Sequence, residues 1–171
     1  MTNSYDGRPA DPHALLSVLY RRPNAQAYLT GSEEYPNLHG EVRFYQTGRG
    51  TLVFAQVFNL PVSAGACANR VFGFHIHEGA ECFGSPNDPF STAGKHYNPG
   101  NCDHPHHSGD LPPLFGNGGY ALSVVLTDRF TVKEIIGRTV IVHDQADDFT
   151  TQSSGNSGKK IACGPITEVK P

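Results

Sequence analysis

The sequence predicts an all-β fold, an antiparallel sandwich or barrel of about eight short strands. Three observations carry that reading. Short runs alternate apolar with polar residues, are rich in Val, Ile, Phe, Tyr and Thr, and end in turn-forming clusters. Apolar spacing at the helical period is scarce. Glycine and proline are frequent, 19 and 13 among 171 residues, yet below the share that marks a disordered chain.

In chain order, residues 14–20 are apolar and read as a short helix or a cap on the core. Residues 25–30 form the first predicted strand, closed by Gly31-Ser32. Residues 39–46 and 51–60 flank Thr47-Gly48-Arg49-Gly50, a hairpin connection. Residues 71–77 place Phe72, Phe74 and Ile76 on one face. Residues 120–126 alternate and lead through a turn at Asp128-Arg129 to a short strand at 130–133. Residues 135–143 and 161–169 complete the set. Segments 78–119 and 144–160 show no period, and loops of that length in a small domain usually carry function.

The length suits one domain with a proper core. A formal charge of −3 with no basic run disfavours a nucleic-acid binder. No stretch approaches the roughly 18 apolar residues that span a membrane. The polar start of the chain does not read as a secretory signal, which favours the cytoplasm, or the periplasm or exterior if the chain is a processed form.

Histidine carries the chemistry. Seven of nine histidines (75, 77, 96, 104, 106, 107 and 143) fall between positions 75 and 143. His75 and His77 are two apart on a predicted strand, so both rings leave the same face, about 6.6–6.8 Å apart along it. That spacing lets two imidazoles converge on one ion. With Asp110 nearby the set reads as a metal site, and imidazole-rich sets suit zinc and copper. His13 and His39 lie outside the cluster and read as ordinary surface residues.

Several motifs then resemble the copper/zinc superoxide dismutase family: Gly73-Phe74-His75-Ile76-His77-Glu78, His96-Tyr97-Asn98-Pro99, His107-Ser108-Gly109-Asp110-Leu111-Pro112, Ile136-Gly137-Arg138-Thr139-Val140-Ile141-Val142-His143 and Ala162-Cys163-Gly164. The resemblance runs from about Ala25 to Ile166. It implies an eight-stranded Greek-key antiparallel β-sandwich or barrel with long metal-binding loops, as residues 25–171, behind an N-terminal extension of residues 1–24. It also implies copper held by His75, His77, His96 and His143, and zinc held by His96, His104, His107 and Asp110, with His96 as the bridge. His106, beside a ligand, is expected to point away. Asp147, four after His143, matches the carboxylate that orients one ligand of each metal.

The chain departs from the family in three places. The stretch from His104 to His107 is short, and so is the loop from Asp147 to the Ala162-Cys163-Gly164 motif. Lys160 stands where the family has an active-site Arg, keeping the charge but losing the planar fork. The resemblance pairs Cys82 with Cys163, closing a loop of about 80 residues that stabilises the fold by roughly 4–5 kcal/mol. For Cys67 and Cys102 three readings stand: a second bridge anchoring the zinc loop, two free thiols, or a Cys102 thiolate on zinc.

The implied activity is disproportionation of superoxide to dioxygen and hydrogen peroxide by Cu(II)/Cu(I) cycling, with a structural zinc and with Lys160 and His96 as catalytic residues. The alternatives are a non-catalytic copper/zinc-binding protein and a zinc hydrolase, the second without an acid/base Glu in a recognisable motif. Family members occur as monomers and as homodimers, and the sequence does not choose between them.

Overall fold

The computed structural model describes residues 11–65 and 67–170. Residues 1–10 of the expected N-terminal extension, with Ala66 and Pro171, lie outside the described residues. The apolar patch forms helix α1 (Pro12–Leu19), capped by the Asp11 carboxylate, which accepts the His13 N–H at 2.9 Å. Leu16 is half exposed, Val18 and Leu19 are partly buried, and Tyr45 OH donates to Leu19 O at 3.4 Å.

Ten strands follow. β1 (Ala25–Gly31), β2 (His39–Thr47) and β3 (Gly50–Phe58) make an antiparallel meander. After β4 (Val71–Phe72) and β5 (Phe74–His77) come β6 (Leu114–Phe115), β7 (Ala121–Thr127), β8 (Thr139–His143), β9 (Lys160–Pro165) and β10 (Thr167–Glu168). One curled sheet has the order β5-β8-β9-β1-β2-β3-β7, with β10 also on β1. β3 and β7 are neighbours, yet the chain between them crosses to the far edge to lay down β5, and then returns. That over-the-end path is a Greek key. β4 pairs with β6, so the two short strands tie the β5 edge to the β7 edge. The all-β expectation holds.

Two local expectations fail. Residues 71–77 are not one strand, because the chain changes partner at Gly73, from β6 to β8. A Cβ at Gly73 would stand 2.9 Å from the Ser157 Cβ and 3.2 Å from the His143 Cβ, so only glycine lets that loop and β8 close over it. Residues 130–133 are not a strand either. Thr131 and Glu134 form a capping box, the Glu134 carboxylate accepting the Thr131 N–H at 2.6 Å, and start helix α2 (Val132–Ile135). Val132 and Ile135, three apart, are both buried, which is helical rather than strand spacing.

The core lies inside the curl, where Ala27, Leu29, Val42, Phe44, Val53, Val57, Phe74, Ile76, Val140 and Val142 pack together. Because strand side chains alternate, the outer face of β5 and β8 carries His75, His77, Ile141 and His143. The long segment after β5 folds over that outer face, where Phe90 and Ala93 pack on Ile141 and Cys163. The Cys82–Cys163 disulfide pins the segment to β9, closing a separation of 81 residues. The clustered imidazoles therefore sit between a sheet face and its covering loops.

Candidate metal centre

β5 is the foundation of the site. On one edge it pairs with β8; on the other it takes two pieces of the covering loop. Tyr97 N–H donates to Ile76 O at 2.8 Å, and Ile76 N–H donates to Gly109 O at 2.9 Å. Isolated bridges set His77 beside His96 and His75 beside Asp110. Four residues far apart in sequence are thus placed by backbone pairing alone.

Among the described residues, two buried groups bring ligand atoms within 4.8 Å of one another: His75, His77, His96 and His143, and His96, His104, His107 and Asp110. His96 belongs to both. His106 is exposed and His107 buried, as expected of the neighbour pair. His13 and His39 are also exposed.

Four of the rings are oriented by an acceptor on their other side, which fixes the tautomer. His75 Nε2 donates to Asp147 Oδ2 at 2.8 Å and His104 Nε2 donates to Asp147 Oδ1 at 2.9 Å. His77 Nδ1 donates to Gly94 O at 2.9 Å, and His143 Nδ1 to Gly158 O at 3.4 Å. The opposite nitrogens are left with lone pairs. His75 Nδ1, His96 Nε2 and His104 Nδ1 are buried without a hydrogen-bond partner. His77 Nε2 and His143 Nε2 face each other at 3.3 Å with no proton to share. Lone pairs converging in a water-poor space are costly unless a cation lies among them. That is the test of fit, and the residues meet it.

Burial drives the His75 ring down to about 4, although the Asp147 hydrogen bond opposes the shift. Burial, with the charges of neighbouring rings, holds His77 and His143 well below the usual 6.5. All three are neutral at pH 7 and can bind a metal without first losing a proton. Burial pushes the two carboxylates upward, but their hydrogen bonds and the nearby imidazoles win: His75, the Phe149 N–H and His104 hold Asp147 low, and His96 chiefly holds Asp110 low. Both are ionised. The first group offers four imidazole nitrogens, a copper-type set, and the second three imidazoles and a carboxylate, which closes a tetrahedral zinc site.

The sequence is similar to those of known proteins. The family model described as copper/zinc superoxide dismutase (SODC) matches residues 38–166. The chain belongs to the copper/zinc superoxide dismutase family. The match begins at Leu38, later than the resemblance from about Ala25. A relative in this family, the superoxide dismutase [Cu-Zn] of Deinococcus radiodurans, is 36% identical over 115 residues, covering 57% of this chain and 63% of the relative. The superoxide dismutase-like protein YojM of Bacillus subtilis is 34% identical over 109 residues, covering 55% and 54%. A third relative, from Autographa californica nuclear polyhedrosis virus, is 29% identical over 153 residues, covering 78% of this chain and 94% of the relative. The chain thus spans less than two thirds of the first two relatives and nearly all of the third.

The short loop that carries His104 and His107 is held by residues that the sequence did not single out for the site. The Gln152 side chain clamps the backbone of His104 from both sides, accepting its N–H at 2.9 Å and donating to its carbonyl at 2.8 Å. Arg129 Nη1 lies 3.0, 3.3 and 3.2 Å from the carbonyl oxygens of Pro105, His107 and Asp110. At Gly155 (φ +65°) a Cβ would collide with the Asp147 carboxylate and stand 2.6 Å from His104 Nε2. No sequence signal marks Gln152 or Arg129, because each is a single polar residue in a polar loop.

The second bridge does not form. Cys67 and Cys102 are free and exposed. The Asn98 side chain holds the Cys102 backbone at both N–H and C=O, and Cys102 Sγ turns toward its own loop at Gly100 O, 3.7 Å away. Cys102 also stands outside both ligand groups. Lys160 does line the cavity over the site, where its ammonium lies 3.1 Å from each Asp88 carboxylate oxygen.

Proposed function

We propose that this protein is a superoxide dismutase, converting superoxide to dioxygen and hydrogen peroxide. The observation that carries the reading is His96, one buried imidazole that belongs to both ligand groups. His75, His77, His143 and His96 Nε2 are the residues that hold copper. His104, His107, Asp110 and His96 Nδ1 hold zinc in a closed, structural set. Bound copper supplies one-electron exchange between Cu(II) and Cu(I), the chemistry that disproportionation needs and that zinc lacks.

The chain's own residues do the rest. His96 Nε2 is the protein atom that alternately carries the proton delivered to the reduced oxygen. Asp147 fixes the tautomers of His75 and His104 together, so neither ring can turn its lone pair away. The mouth above His77 and His143 admits a small anion and carries Lys160 at its rim. The Cys82–Cys163 bridge suits an oxidising compartment, which favours the periplasm or exterior over the cytoplasm.

The test is superoxide decay on protein reconstituted with copper and zinc, both metals being quantified on the same sample. Acceleration that requires copper is the expected result. Stoichiometric copper without acceleration would overturn the enzyme reading and move the protein to metal handling.

A further inference from the structure

The cavity over the site, about 670 Å³, is lined by three lysines, Lys95, Lys159 and Lys160, and three carboxylates, Glu78, Asp88 and Asp103. Its charged side chains therefore balance. The lysines are not equivalent. Lys160 is largely buried, with 16% of its side chain exposed, and is gripped by both oxygens of Asp88. Lys159 reaches Glu34 at 3.7 Å, both side chains being well exposed. Lys95, next in sequence to His96, is exposed; its backbone N–H donates to Glu78 Oε1 at 3.3 Å, while its ammonium forms no ion pair among the described residues.

We propose that Asp88 neutralises Lys160, and that Lys95 is the cation that draws a small anion to the site. The inference rests on the dismutase reading for its substrate, and on the cavity alone for its charges. A lysine held by a carboxylate at 3.1 Å acts on a distant anion as a dipole, whose field falls off faster than that of a free charge. The carboxylate is also the more exposed member, 49% against 16%, so an approaching anion meets Asp88 before it meets the ammonium. Asp88 is held in this position by its own loop. Its backbone N–H and C=O pair with Ser85 at 3.1 and 3.0 Å, and the Cys82–Cys163 bridge ties that loop to β9, three residues from Lys160. Lys95 is placed just as firmly, since its carbonyl accepts the Glu78 N–H at 2.9 Å beside β5.

The experiment uses the full chain loaded with copper and zinc, and measures kcat/KM for superoxide across ionic strength. The variants are Asp88→Asn, Lys160→Gln, the two together, and Lys95→Gln. At low salt Asp88→Asn rises about 3-fold with a steeper salt dependence, and Lys160→Gln falls by about the same factor. The double variant returns close to the parent, because the pair it removes carries no net charge. Lys95→Gln falls about 3-fold and its salt dependence flattens. A double variant as slow as Lys160→Gln alone would make Lys160 a direct anion contact and overturn the proposal, as would a Lys95→Gln variant identical to the parent. Azide titration of the copper-loaded proteins, followed by absorption, reads anion affinity without turnover. Tighter azide binding in Asp88→Asn, with no dismutation by the parent, upholds the charge assignment while ending the dismutase reading. Equal azide affinity in all variants overturns the assignment itself.

Discussion

His75, His77 and His143 stand on strands, whereas His104 and His107 stand on a short loop, and the two groups are held by different forces. For the strand group, pleat alternation and the β5–β8 register put three rings on one face. For the loop group no ladder exists. Gln152, Arg129, Asp147 and the Asp110 carboxylate, which accepts the His107 N–H at 3.0 Å, replace it with side-chain contacts. A sheet sets ligand geometry through many shared backbone bonds, so no single side chain is decisive there. A loop depends on a few contacts, each of which can be removed alone.

Removing a ligand should separate the groups most sharply. We predict that His77→Gln binds zinc but loses stoichiometric copper, and that His107→Gln retains copper and loses zinc, as read by metal analysis after dialysis. Loss of both ions in either variant would show that the groups do not hold independently of construction.

The strand group also sets an acid limit. His75, His77 and His143 titrate below an unfolded histidine, so between about 6.5 and their folded values the unfolded chain binds more protons. Stability of the metal-free protein is therefore complete above about pH 6.5 and falls as pH drops. His75 alone contributes roughly 3 kcal/mol, lost by about pH 4. Urea midpoints at several pH values check this, and a flat profile would contradict it.

On the loop side, Gly155→Ala drives Asp147 and His104 apart and should weaken zinc about 10- to 100-fold in chelator competition. The smallest effects are expected for Gln152→Leu and Arg129→Met, about 5-fold each for zinc, from the loss of roughly 1 kcal/mol of hydrogen bonding. Copper affinity measured in the absence of zinc should stay at the parent value in both. If it shifted as much as zinc affinity, the two supports would not be separate.

The same contrast explains what could be read in advance. The strand ligands were legible because alternation is a local property: His75 and His77 announce one face, and Phe74 and Ile76 the other. Alternation says only that His106 and His107 point opposite ways, and the resemblance to the family motif chose between them. The break at Gly73 was not legible, since it depends on Ser157 and His143 arriving from elsewhere. Helix α2 was read as a strand because Phe130 and Val132 alternate, while the Thr131–Glu134 capping box carried the stronger signal. Gln152, Arg129 and Asp88 gain their roles only from tertiary distance. Cys67 and Cys102 look like a pair by count, but the Asn98 side chain keeps Cys102 on its own loop.

Asp147 holds one ring of each group, and His96 is common to both. Ordering one group helps to order a side chain that the other uses, so the two affinities are thermodynamically linked although each group can hold its ion alone. Whatever factor zinc adds to copper binding, copper must add to zinc binding. Reciprocity fixes the coupling factor alone; which ion loads first still follows from the two intrinsic affinities. Titrating each ion with and without its partner should return one and the same coupling factor, and two different factors would mean that equilibrium had not been reached.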